Sequence, residues 1–173
     1  LAVGIGVYQL RENLVERIVL TRPAIDSGAS LGFLPGSMQE KIGPYLTPLF
    51  DELSYFVEPK TAKAWMEHKI LEICPLSLMR GRTFNHSYVI LDEAQNATMP
   101  ELRMCLTRIG QNSKMIIVGD LYQSDLDLCL RGGFQTCLQA LDGMDSVGIC
   151  ALDDNDIVRN RLIAEIERRL RGV

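Results

Sequence analysis

The chain has 173 residues, 47% hydrophobic and 23% charged, which suits one soluble globular domain with a buried core and excludes collagenous, low-complexity and disordered classes. Its longest apolar runs, such as YVIL and MIIV, stop after about four residues at Asp or Gly, so no membrane span is expected. A formal net charge of −4 gives no overall basic footprint for non-specific nucleic-acid binding.

Residues 1–14 carry Leu1, Val3, Ile5, Val7, Leu10 and Leu14, which predicts a helix buried on most sides, with Gly4 and Gly6 opposing it. Because this apolar run stands at the very start, the chain is expected to begin partway through a larger protein. ERIVLTRP is a short β-branched run closed by Pro23, so residues 17–21 are expected to form a strand. Ala24 to Gly36 reads as a covering loop, and 37–56 as helix broken near Pro44 and Pro48. Residues 60–68 predict a short helix, KILEIC a strand, and PLSLMRGRTFNHS a polar loop carrying Arg80 and Arg82. YVIL is a strand that runs directly into Asp92 and Glu93. Residues 99–109 place Leu102, Leu106 and Ile109 on one helical face, with Pro100 near the start, and KMIIVGD is another buried-type strand. A helix over 133–141, a fifth strand at SVGICAL and a helix over 154–170, built on Val158, Leu162, Ile166 and Leu170, complete the pattern.

Strands and helices alternate, and the strands are continuous apolar runs, which together indicate one α/β domain: a parallel sheet covered on both faces by crossover helices. Five cysteines without a C-x-x-C pair point to free thiols in a reducing, cytoplasmic setting. With only His68 and His86, a structural zinc site or a Ser-His-Asp hydrolase lacks parts. Ligands of such sheets gather beyond the carboxyl ends of the strands. Arg22, the pair Asp92 and Glu93, and Asp120 with Gln123 are expected there.

Two adjacent carboxylates at the end of a buried strand repel each other unless a cation uses them. Asp92 is suited to hold Mg²⁺, and Glu93 to polarise an attacking water; the plain alternative is a solvated loop capping the next helix. The Gln123 amide suits a phosphate oxygen or a water, or is an ordinary turn residue. Arg22, Arg80, Arg82 and Arg159 are candidates to neutralise charge on a transferring phosphoryl group, against surface ion pairing as the alternative. The loop with Arg80, Arg82, Phe84 and His86 has the composition of a nucleic-acid grip, and equally of a loop packed on its neighbouring strand. Arg161, Arg168, Arg169 and Arg171 are interleaved with Glu165 and Glu167, as on a solvated helix face.

The stretches TRPAIDSGASLGFLPGSMQEKIGPYLTPLFDEL, PLSLMRGRTFNHSYVILDEAQN, LTRIGQNSKMIIVGD and DNDIVRNRLI resemble the PhoH-like, phosphate-starvation-inducible family of P-loop ATPases over nearly the whole chain. The resemblance implies a RecA-like P-loop NTPase three-layer sandwich with a mainly parallel sheet, similar to the ATPase core of superfamily-one helicases. It further implies ATP and Mg²⁺ as ligands, a homo-oligomeric ring as in many members, and RNA or single-stranded nucleic acid as a partner. By that resemblance Asp92 and Glu93 match the Walker B pair, with Asp92 on the Mg²⁺, and Gln95 closes the DEAQ motif. Gln123 matches the GD-x-x-Q sensor that begins at Gly119 and Asp120, while Arg80, Arg82 and Arg159 fall where the family carries arginines. One departure stands out. The chain contains no G-x-x-x-x-G-K-[ST] loop and no strand to precede it, and LAVGIGVYQL resembles the helix that follows that loop. Two readings follow: an ATP-hydrolysing domain whose chain is an N-terminally incomplete copy, or a nucleotide-free interaction module that completes a ring.

Overall fold

Four strands, β1 (Arg17–Thr21), β2 (Leu71–Ile73), β3 (Ser87–Leu91) and β4 (Lys114–Ile117), form one sheet in the order β2-β1-β3-β4, every neighbouring pair parallel. The computed structural model describes residues 1–23 and 47–153, with Asp156, Glu165, Ile166 and Arg169. Contacts divide the chain into two units, Leu1–Cys137 and Leu138–Val173, and the sheet lies in the first. β1 and β3 are central, and all five residues of β3 are buried, which is why RIVLT and SYVIL carry β-branched and apolar side chains on both faces.

Helices cover the two faces as the alternating pattern predicts. On one, α1 (Ala2–Arg11) and α2 (residues 47–54) place Val3, Val7, Leu49 and Leu53 in a cluster with Ile18, Leu20, Tyr88 and Ile90. Pro48 sits inside this helical run, so the chain stays helical there. α3 (Pro59–Glu67) follows and leads into β2. On the other face lies α4 (Met99–Leu106), with the Cys105 thiol 3.7 Å from the Met79 sulfur and 3.9 Å from that of Met115 on β4. Phe134 and Cys137 of α5 (Gly133–Leu141) are also buried.

The two glycines that weaken α1 as a helix have a packing reason. A Cβ on Gly6 would stand 2.9 Å from Tyr88 Cδ1, and one on Gly4 would stand 2.7 Å from Phe56 Cζ. Both exchange helix propensity for a close approach of α1 to its neighbours.

Several expectations are corrected. SVGICAL forms no strand: residues 146–152 pair with no strand among the described residues, and Ile149 and Leu152 are 47% and 69% exposed. Strand-type letters make a strand only where a partner edge supplies hydrogen bonds and covers the side chains. The helix expected over 99–109 ends at Leu106, because the backbone beyond it turns to pair with Phe84: the Phe84 N–H donates to Arg108 at 2.9 Å, and Gly110 donates to Phe84 at 2.8 Å. The loop over 75–87 is less polar than its letters, since a 3-10 turn at Leu76–Met79 buries Leu76 and Met79, and Phe84 is fully buried. The loop expected from Ala24 to Gly36, residues 37–46, and Val158, Leu162 and Leu170 of the helix expected over 154–170 lie outside the described residues. Glu165, Ile166 and Arg169 are helical, with Glu165 and Arg169 paired at 2.7 Å. No described helix is long and apolar enough to cross a membrane.

Gly6→Val should lower folding stability by about 1–3 kcal/mol in chemical denaturation, since the added atoms must displace Tyr88; an unchanged midpoint would contradict the packing. Burial pushes Cys105 and Tyr88 up to about 12. The folded chain therefore keeps protons that the unfolded chain releases near pH 9 and 10, so stability falls as pH rises from there towards 12. Cys105→Ala should flatten that alkaline decline in a pH series of melts.

Candidate active site

The register of the sheet builds the site. Thr21, Leu91 and Ile117 lie side by side as the last residues of β1, β3 and β4. Hydrogen bonds continue one step beyond them, from the Asp92 N–H to Thr21 at 3.0 Å and from the Val118 N–H to Leu91 at 2.8 Å. Arg22, Asp92 with Glu93, and the Gly119–Asp120 turn therefore emerge along one edge, as the strand reading expects. Glu93 adopts the left-handed region at φ 54°, a strained conformation for a residue with a Cβ, and the chain then enters a 3-10 turn at Ala94–Asn96.

That turn aims the Glu93 carboxylate at two donors. Arg22 Nη2 lies 2.9 Å from Glu93 Oε1 and 3.0 Å from Asp92 Oδ2, so one nitrogen bridges both acids. The Gln95 amide, 6% exposed, donates to Glu93 Oε2 at 2.6 Å and accepts from the Asp120 backbone N–H at 3.0 Å. Gly119 permits this, because a Cβ there would meet Gln95 Oε1 at 2.9 Å and Phe134 Cε1 at 2.8 Å. Asn96 exchanges two hydrogen bonds with Asp125, at 2.8 and 3.2 Å, and Ser124 donates to the Gln95 carbonyl at 3.1 Å, so the 120–126 loop is fastened to the turn after Glu93. Burial pushes the Asp92 carboxyl up, with Arg22 opposing and the Glu93 carboxylate adding to it.

Mg²⁺ fits this donor set. Hard carboxylate oxygens suit it, and the bridging guanidinium shows that the edge between Asp92 and Glu93 accommodates positive charge. No group of three or more His, Cys, Asp or Glu side chains is placed to hold a metal among the described residues. An ion at Asp92 would therefore take its remaining ligands from water and a bound phosphate, as Mg²⁺ commonly does.

Comparison with known proteins identifies the family. A family model described as PhoH-like protein matches residues 1–171. The chain belongs to the PhoH-like family. It is 46% identical over 166 residues to the PhoH-like protein of Bacillus subtilis, covering 96% of the chain and 52% of that protein. The PhoH-like protein of Synechocystis sp. is 44% identical over 166 residues, covering 96% and 51%. Protein PhoH of Escherichia coli K12 is 39% identical over 157 residues, covering 86% and 42%. The chain thus spans about half the length of these relatives.

Within this PhoH-like chain, the structure draws Arg22, Asp92, Glu93, Gln95 and the Asp120 backbone into one network. The Asp120 carboxylate instead accepts the Tyr122 N–H at 2.8 Å, closing its own turn. Gln123 is exposed, with no hydrogen bond to the acids among the described residues. Arg80 is exposed. Arg82 pairs with Glu72, approaches the Cys74 sulfur at 3.1 Å and stacks over Phe84 at 4.6 Å, a use of its guanidinium that shapes the loop from within. Arg159 lies outside the described residues. Sequence reasoning missed the Asn96–Asp125 fastening; the Asn after DEAQ and the Asp in QSDLD were its only signal. Asn96→Ala should raise hydrogen exchange of the Asp125 amide about tenfold, while β3 amides stay protected. Equal protection in both proteins would contradict the fastening.

Proposed function

We propose that the protein carrying this chain hydrolyses ATP with Mg²⁺, and that residues 1–173 supply the metal-and-water half of the site as a single domain. The observation that carries this reading is the Asp92–Glu93 pair at the end of β3, with Glu93 held in a left-handed conformation between two donors. Bound Mg²⁺ neutralises phosphate charge and orients the transferring group. Asp92 would hold it. Glu93 accepts a hydrogen bond from the attacking water and draws on its proton, while Gln95 fixes the carboxylate that does so. Gln123, exposed on the loop that Gln95 anchors, reads the outermost phosphate, and Arg159 supplies positive charge, in a ring to a neighbour's nucleotide. Arg80, exposed in its loop, meets RNA or another single strand, with Arg82 holding that loop in shape.

The residues present do not include a phosphate cradle: no G-x-x-x-x-G-K-[ST] occurs in the 173 residues. A second reading is a nucleotide-free subunit that completes a ring. The two diverge in one experiment on the full gene product. Under the first reading, Glu93→Gln keeps Mg-ATP binding and lowers turnover by at least about 100-fold. Under the second, millimolar Mg-ATP leaves the melting temperature unchanged. Unchanged turnover in Glu93→Gln would remove Glu93 from its role.

A further inference from the structure

The Arg22 guanidinium occupies an unusual position. Its Nη2 nitrogen lies 3.0 Å from one Asp92 oxygen and 2.9 Å from one Glu93 oxygen, and its side chain is only 19% exposed. A single cationic atom bridging two carboxylates does what a small metal ion does between the same two groups. It cancels their mutual repulsion and satisfies lone pairs that burial would otherwise leave costly. Arg22 is also well fixed: it directly follows β1, whose Thr21 pairs in register with Leu91, and the buried Pro23 follows it. On the far side of Glu93, Gln95 holds the second oxygen. The positive charge at this edge therefore comes from the residue that directly follows β1, not from the loop that follows the acids.

We propose that Arg22 is the resident counter-ion of the Asp92–Glu93 pair and that a divalent cation binds there by displacing it, so that metal entry and release of the guanidinium are one exchange. This rests on the reading that Asp92 holds the metal. The exchange has two consequences. Affinity for the metal alone is held down, because the ion must break two charge-assisted hydrogen bonds and approach a like charge. Glu93 Oε1 is uncovered only when the metal is in place, which confines the working state of the carboxylate to the metal-loaded site. Gln95 keeps its grip on Oε2 throughout, so the carboxylate changes partner without losing its orientation.

Manganese binding, followed by the loss of the free-ion paramagnetic resonance signal as protein is added, tests the exchange without any nucleotide. Four versions of the chain are compared, each first shown to be folded by circular dichroism: the parent, Arg22→Gln, Arg22→Lys, and Arg22→Gln with Asp92→Asn. Arg22→Gln should bind Mn²⁺ at least about tenfold more tightly than the parent. Arg22→Lys keeps the charge and should remain within about threefold of the parent. The double variant should lose the gain. If Arg22→Gln binds no more tightly than the parent, or if Arg22→Lys gains as much as Arg22→Gln, the exchange is wrong, whatever becomes of the metal site. If Arg22→Gln gains affinity and Asp92→Asn leaves that gain intact, the assignment of Asp92 as ligand falls, and the proposal with it. No detectable binding by Arg22→Gln overturns the proposal as well.

Discussion

Two carboxylates following one another at the end of a buried strand are the constraint around which this site is arranged. Neither Asp92 nor Glu93 can be left charged and alone where the sheet meets its covering layers, and burial already pushes the Asp92 carboxyl up. The chain answers with three donors from three places. Arg22 comes from the end of β1 and bridges both acids, and Gln95 comes from the turn that the acids themselves begin. The Asp120 N–H, beyond β4, bonds the far end of the Gln95 amide. The parallel register of β1, β3 and β4 brings these groups to one edge, so the electrostatics of the site depend on the alignment of Thr21, Leu91 and Ile117.

The rigidity of that edge is inherited from the layers around it. β1 and β3 are held by α1 and α2 on one face and by α4 with the Leu76–Met79 turn on the other. Glycines appear where the approach is too close for a side chain: Gly6 against Tyr88, and Gly119 against Gln95 and Phe134. The strained backbone at Glu93 is sustained by this surrounding order, since a left-handed residue with a side chain costs of order 1–3 kcal/mol and persists only where its neighbours determine it. Asn96, Asp125 and Ser124 then carry the same order into the loop that bears Gln123.

Much of this was legible from residue letters alone. The four sheet strands were visible because RIVLT, LEI, YVIL and KMII are short apolar runs bounded by charge, proline or glycine, and the polar residues beyond three of them named the site. The fifth strand was misread because SVGICAL has the right letters, while strand formation depends on a pairing edge that letters do not reveal. The end of α4 was misplaced for a related reason: Arg108 to Gly110 pair with Phe84, which is more than 20 residues earlier in the chain. Arg82 looked like Arg80 in the sequence, yet its guanidinium is drawn to Glu72, Cys74 and Phe84 by contacts between segments distant in sequence. Gln95 was noticed through family resemblance, and its place between Glu93 and Asp120 became evident only from the fold.

Arg22 and Glu93 act on each other directly across the ends of β1 and β3. A double-mutant cycle of Arg22→Gln and Glu93→Gln, followed by denaturant unfolding at neutral pH, measures that link most directly. A coupling of about 1 kcal/mol or more is expected, with the double variant less destabilised than the sum of the single ones. Additivity within about 0.3 kcal/mol would show the two side chains to be energetically independent and would contradict it.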